Sequence, residues 1–312
     1  VRTLRLAVIG AGRLGGFHAQ KIAATKGVEL TAVVDPLAEN RNRVAAECNT
    51  RALPNHRPLL GNIDAAVIAS PTRLHHELAM DLLDSGIHLL IEKPICSTLG
   101  EADELVEAAA RRKVVLQVGH VERFNPAFTA SLSHTANPKY IEAVRSSGFT
   151  FRSTDLGVVL DLMIHDIDLV LSMVRSPLRK VEAMGLSVLG GHEDVANARL
   201  EFQSGCVANL SASRVSYKAL RTMNVWSPRA FAAVDFGTRT TTLVQPSETL
   251  LRRQFDVESL DPDEVQYYLE HFADEHLRRE QLDFEPVDAL ALELQDFIES
   301  IHGPRVPVVS GE

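Results

Sequence analysis

Gly10-Ala11-Gly12-Arg13-Leu14-Gly15 follows directly on the apolar run Leu4 to Ile9 and opens a helical segment at 14–25. A G-x-G-x-x-G run between a strand and a helix has a physical reading. Gly10 permits the tight turn, Gly12 lets the backbone reach a pyrophosphate, and Gly15 lets helix pack closely on strand. The helix N-terminus then attracts phosphate charge. Arg13 and Leu14 stand in the same loop and join the candidate cofactor contacts. Asp35 ends the next apolar run, 20 residues beyond Gly15. A carboxylate there accepts hydrogen bonds from an adenosine ribose diol and repels a 2′-phosphate, which favours NAD over NADP; Arg41 and Arg43 downstream soften that choice. The alternative, a glycine turn that merely joins strand to helix, does not account for the acid.

Outward from this loop, short β-branched runs at 4–9, 28–34, 64–69, 87–91 and 114–118 alternate with Ala/Leu-rich segments such as 73–85 and 98–112. That alternation predicts βαβ units on a doubly wound parallel sheet, a Rossmann domain over residues 1–121. From about 140 the pattern changes to one apolar helical stretch at 157–174. Strand-like runs follow near 180–190, 196–203, 205–213, 221–226, 230–236 and 239–244. These predict a second, α+β domain over 122–312 with a large, open-faced, mainly antiparallel sheet. The joint falls near Gly119 to Pro126, where Asn125-Pro126 breaks the periodicity.

The chain has 312 residues, and 32 Lys plus Arg against 41 Asp plus Glu give a net charge of −9, no general footprint for nucleic acid or an anionic membrane. A small-molecule partner is expected. Cys48, Cys96 and Cys206 support neither a disulfide framework nor a thiolate zinc site, so a reducing cytoplasm is expected. No uncharged apolar run reaches membrane length.

Two further clusters sit at carboxyl ends of predicted parallel strands, where open α/β sheets bind ligands. They are Ser70-Pro71-Thr72-Arg73-Leu74-His75 and Glu92-Lys93-Pro94, which point Ser70, Thr72, His75, Glu92 and Lys93 toward whatever the glycine loop holds. Pro94 keeps Lys93 extended. The bland alternative is a solvated Lys93 with Glu92 as its exposed ion-pair partner. On the apolar stretch 157–174, at about 100° per residue, Asp161, His165, Asp168 and Ser172 fall within an arc of about 60°. Asp166 points away, as a solvated or inter-subunit charge would. An aligned carboxylate and imidazole suit hydroxyl deprotonation, the acid fixing the tautomer and the imidazole acting as base. A core histidine with carboxylates paired to arginines is the structural alternative; a metal site of Asp161, His165 and Asp168 lacks further spaced ligands, so none is expected.

With these residues the sequence resembles the Gfo/Idh/MocA family of oxidoreductases. The match runs from the glycine loop with His18-Ala19 through Pro71-Thr72 with His75, Glu92-Lys93-Pro94 and Arg123-Phe124-Asn125-Pro126 to the spacing Asp161, His165, Asp168. The resemblance implies NAD as cofactor and Lys93 beside the nicotinamide. It places Asp161 and His165 at the substrate and makes the open sheet a support for a homodimer or homotetramer. A narrower resemblance, carried by Gly119–Pro126, Leu160–Asp168 and Glu193–Leu200, is to nucleotide-sugar 3-dehydrogenases. It implies UDP-N-acetylglucosamine, oxidised at its 3-hydroxyl for lipid A precursor synthesis, or the related 6-uronic acid. Family chains run on into another helix beyond the segment equivalent to Pro307–Glu312, where this chain stops.

The expected arrangement therefore has Lys93, Asp161 and His165 meeting one carbinol at the nicotinamide. His120, Arg123 and Asn125 reach the sugar or its diphosphate, or else serve domain packing, with Arg123 paired to an acid such as Asp168. Rival expectations are an inositol or free aldose as substrate, and a catalytically silent NAD-binding sugar sensor.

Overall fold

Leu4, Leu6 and Val8 alternate with Ala7 and Ile9 on opposite faces of one strand, and all are buried, the pattern of a central strand covered by helices on both sides. The computed structural model describes residues 2–151 and 156–311. They form two compact units: Val1–Val121 with Asp288–Glu312, and Glu122–Val287.

In the first unit β1 (Leu4–Ile9), α1 (Arg13–Ala24), β2 (Val28–Val34), α2 (Ala38–Cys48), β3 (Arg51–Leu53), β4 (Ala65–Ile68), α3 (His75–Asp84), β5 (His88–Glu92), α4 (Leu99–Arg112) and β6 (Leu116–Gly119) follow in order. The six strands are all parallel, in the order β3-β2-β1-β4-β5-β6. Strand order reverses between β1 and β4, so the crevice at their carboxyl ends is the topological switch point. Two apolar clusters flank the sheet, one around Ile68, Leu82, Leu89 and Leu105, the other around Leu6, Val8, Ile22 and Val67.

The second unit contains α5 (Pro126–Leu132), β7 (Tyr140–Ser146), a π-helical turn (Val159–Met163) leading into α6 (Ile164–Val174), then β8 (Leu178–Leu186), β9 (Val195–Phe202), β10 (Val207–Ser213), β11 (Leu220–Trp226), β12 (Phe231–Asp235) and β13 (Thr240–Pro246). After α7 (Glu248–Leu251) and α8 (Pro262–His276) comes β14 (Leu277–Asp283). The eight-stranded sheet has the order β14-β13-β12-β11-β7-β10-β9-β8 and is antiparallel except for the β7–β10 pair. One face packs Ile141, Ala143, Leu200, Leu210, Met223 and Val225 against Phe128, Met163, Leu169 and Val170. No helix among the described residues is long and apolar enough to cross a membrane.

The structure corrects the expected extent of the second domain, 122–312: Asp288–Glu312 packs with the first unit. The cause is amphipathicity. α9 (Ala289–His302) buries Leu294 and Phe297 in the cluster of Leu4, Leu6 and Ile22. The chain beyond it then bonds along β6: Val118 N donates to Val309 O at 3.1 Å, and Gly311 N to Leu116 O at 3.1 Å.

Candidate active site

The glycine loop is built for close approach. Gly10 has φ +100°, and a Cβ there would stand 2.5 Å from Ala69 O; one on Gly15 would stand 1.8 Å from Gly10 O. Alanine is excluded at both by backbone atoms. At Gly12, the N-cap of α1, a Cβ would meet nothing within 4 Å. No side chain caps α1 and no acid occupies its first turn, so its leading N–H groups are left for an anion. Asp35 is fixed at the loop: its Oδ2 accepts from Ala11 N at 2.8 Å and its Oδ1 from Leu37 N at 2.8 Å. A carboxylate has about four acceptor positions, so about two remain for a ribose diol. These features fit a dinucleotide. The two arginines expected to soften the choice of cofactor are engaged locally. Arg41 donates to the carbonyls of Asp35 and Pro36, and Arg43 to that of Ala11 and to Glu47. Arg13 and Leu14 are exposed on the first turn of α1, with the Arg13 guanidinium 5.7 Å from the Phe17 ring centroid.

At the ends of β4 and β5 the expected residues divide. Ser70 Oγ is buried without a hydrogen-bond partner among the described residues, an orphaned hydroxyl beside the loop, and Thr72 starts the 3-10 turn that precedes α3. His75 is 1% exposed, its Nδ1 3.0 Å from Pro94 O and its Nε2 2.8 Å from Ser70 O. Buried between the Ser70 and Pro94 carbonyls, one of which accepts its ring N–H, it links the two loops. Glu92 is likewise not the exposed partner of Lys93. It is buried and accepts a hydrogen bond from His18 Nε2 at 2.7 Å. Lys93, half-buried and followed by a cis bond to Pro94, leads out of β5. His120 follows β6, half-buried.

In the second unit the stretch that carries the polar stripe is not uniformly α-helical. Asp161 sits within the π turn Val159–Met163, and His165 and Asp168 on α6. Glu193 fixes the start of this stretch: its carbonyl accepts from Val158 N at 2.9 Å, and its Oε1 would stand 1.9 Å from a Cβ on Gly157. Asp161, His165, Asp168 and Ser172 are all half-buried, whereas Leu169 and Val170 are buried. Ser172 Oγ turns back onto Leu169 O.

Asp166 corrects an expectation. It is 2% exposed rather than solvated, and both its oxygens accept from the Arg145 guanidinium, which also donates to Glu122. Arg123 pairs with Asp168 at 3.1 Å. Burial pushes the Asp168 carboxyl up to about 6, and Arg123 draws it only part of the way back. Asn125 caps α5, its Oδ1 accepting from Ala127 N at 3.1 Å and its Nδ2 donating to Glu122. The packing alternative thus describes the contacts of Arg123 and Asn125 that the structure shows. His18, Glu193 and Glu293 were not singled out from the residues themselves; their partners lie far away in sequence.

Residues 4–120 match the oxidoreductase family described as having an NAD-binding Rossmann fold, and residues 127–229 match the GFO/IDH/MocA C-terminal domain. The chain is 36% identical over 303 residues to UDP-N-acetylglucosamine 3-dehydrogenase of Acidithiobacillus ferrooxidans, covering 97% of this chain and 90% of that protein. A solved structure of that enzyme superposes with a TM-score of 0.86 at 35% identity, covering 100% of this chain and 93% of that one. Myo-inositol 2-dehydrogenase of Thermotoga maritima is 26% identical over 99% of this chain and 91% of its own. The fold, the phosphate-ready loop and these similarities agree: the chain belongs to the Gfo/Idh/MocA family of oxidoreductases and is an NAD-dependent dehydrogenase acting on CH–OH groups.

Proposed function

We propose that this dehydrogenase oxidises the 3-hydroxyl of UDP-N-acetylglucosamine, as a cytoplasmic enzyme supplying a 3-keto nucleotide sugar for lipid A precursor synthesis. The observation that carries the chemistry is that Asp161, His165 and Asp168 are half-buried together on one largely apolar helical stretch. The substrate is supported by the near-full-length similarity to an enzyme of that name. NAD, when bound, supplies the hydride acceptor. A ring nitrogen of His165 takes the hydroxyl proton as the C–O bond becomes a carbonyl. Asp161 orients that imidazole, and the Lys93 Nζ stabilises the charge developing on oxygen. Gly10, Gly12, Arg13, Leu14, Asp35, Ser70 and Thr72 form the cofactor side, with His75 and Glu92 behind them. His120 and Arg123 are assigned to the nucleotide sugar, Arg123 while still paired to Asp168.

The open sheet is assigned to a homodimer or homotetramer, since β8 is exposed along its whole length, Val181 and Met184 included. Substrate turnover tests the reading. Reduced nicotinamide should accumulate with UDP-N-acetylglucosamine and not with myo-inositol or glucose. Turnover of an inositol alone would favour the reading supported by the inositol dehydrogenase relative. Turnover of the 6-uronic acid alone would move the assignment to the sister substrate.

A further inference from the structure

We infer that His18 and Glu293 are positioning residues for Lys93, acting through the buried carboxylate of Glu92. The inference rests on the catalytic reading of Lys93 given above. Glu92 is the last residue of β5 and is bonded through its peptide to Lys93. Its Oε1 accepts from His18 Nε2 at 2.7 Å, and His18 is fully buried on α1, the helix that opens at the glycine loop. One hydrogen bond therefore ties the cofactor helix to the strand end that delivers the lysine. β6 walls the other side, since a Cβ on Gly119 would stand 2.9 Å from the Glu92 carboxyl.

Glu293, reaching in from α9, closes the third side. Single ligand-type atoms of His18, Glu92 and Glu293 lie within 4.8 Å of one another, and both Glu293 oxygens are buried without a partner among the described residues. A buried, unpartnered carboxyl is tolerable as the neutral acid, not as the anion. Burial first, then the charges of Glu92 and Asp296, raise Glu293 well above the ordinary carboxyl range. Two such neighbours cannot both ionise cheaply. A neutral Glu293 leaves Glu92 as the one anion facing His18, so the imidazole has a single charged acceptor and Glu92 a single orientation. The backbone at Lys93 inherits that orientation.

The test compares single-residue variants of the full chain with the parent, reading kcat, KM, NAD binding by calorimetry and melting temperature. A displaced catalytic group costs on the order of 10- to 100-fold in rate, so His18→Leu should lose about that in kcat while KM and Kd for NAD stay within about threefold. His18→Gln, which keeps an N–H near the place of Nε2, should recover most of the loss. Glu293→Leu, which removes the carboxyl from the third side, should lose about tenfold in kcat, and the neutral isostere Glu293→Gln should recover most of that loss. If His18→Leu does not fold, Glu92→Gln carries the same comparison. Three results overturn the inference: a lowered melting temperature with kcat unchanged, equal damage from Leu and Gln at position 18, or a Glu293→Gln loss as large as that of His18→Leu. A stoichiometric divalent metal in the purified parent, lost in Glu293→Gln, also overturns the neutral-acid assignment. Lys93→Met separates the two readings, because turnover at the parent rate in that variant defeats the role of Lys93 whatever His18 does.

Discussion

Asp168 holds its proton to about pH 6 because burial outweighs the Arg123 guanidinium 3.1 Å away. A carboxyl raised in the folded chain contributes stability that is complete below its unfolded value, near 3.8, and is lost as the pH rises through about 6. The loss amounts to about 3 kcal/mol at most. Chemical denaturation across that window should show the parent weakening more steeply with rising pH than Asp168→Asn; parallel curves would contradict the assignment. The Arg123–Asp168 pair was legible in sequence as one of two alternatives, because a buried acid on an apolar helix needs a cation. The burial of Asp166 was not legible. Its partner Arg145 lies 21 residues away and points inward from a strand, where helical periodicity carries no information about it. Glu92 escaped for the same reason, its imidazole partner being 74 residues distant.

Among the elements, the Rossmann strands and the glycine loop were readable because their signals are local: β-branched runs, turn glycines and an acid at fixed spacing. β7 was missed because Tyr-Ile-Glu-Ala-Val-Arg-Ser places Arg145 at a buried position and so breaks the apolar alternation. β14 was missed because Leu-Arg-Arg-Glu-Gln-Leu-Asp is charged along an edge. The π turn at Val159–Met163 leaves no trace in hydrophobic spacing, although it re-aims Asp161 relative to His165. Two substitutions test how elements place the site. Gly15→Ala forces a Cβ to 1.8 Å from Gly10 O, so calorimetry should find NAD binding lost together with stability. Gly157→Ala places a Cβ 1.9 Å from the Glu193 carboxylate, which must swing away from Val159 N, so kcat should fall by a few-fold with NAD affinity retained. Equal NAD affinity in Gly15→Ala and the parent would contradict the account of the loop.

For the whole molecule, the chain order of the units was the hardest feature to read, since a terminal amphipathic helix fits any apolar surface. Only contacts show that α9 completes the first unit, with Leu294 and Phe297 buried beside Leu4 and Leu6. A fragment ending at residue 121 should therefore remain unfolded by circular dichroism, whereas the same fragment joined by a linker to 288–312 should fold. Phe297→Ala should cost about 3–5 kcal/mol in denaturant titrations.

The proposed oxidation takes hydride from carbon 3 of the sugar. Incubation with NAD and UDP-N-acetylglucosamine deuterated at that carbon, followed by mass spectrometry of the nicotinamide product, tests it directly. Deuterium should appear on the reduced nicotinamide and the rate should fall; unlabelled reduced nicotinamide formed at an unchanged rate would contradict hydride transfer from carbon 3.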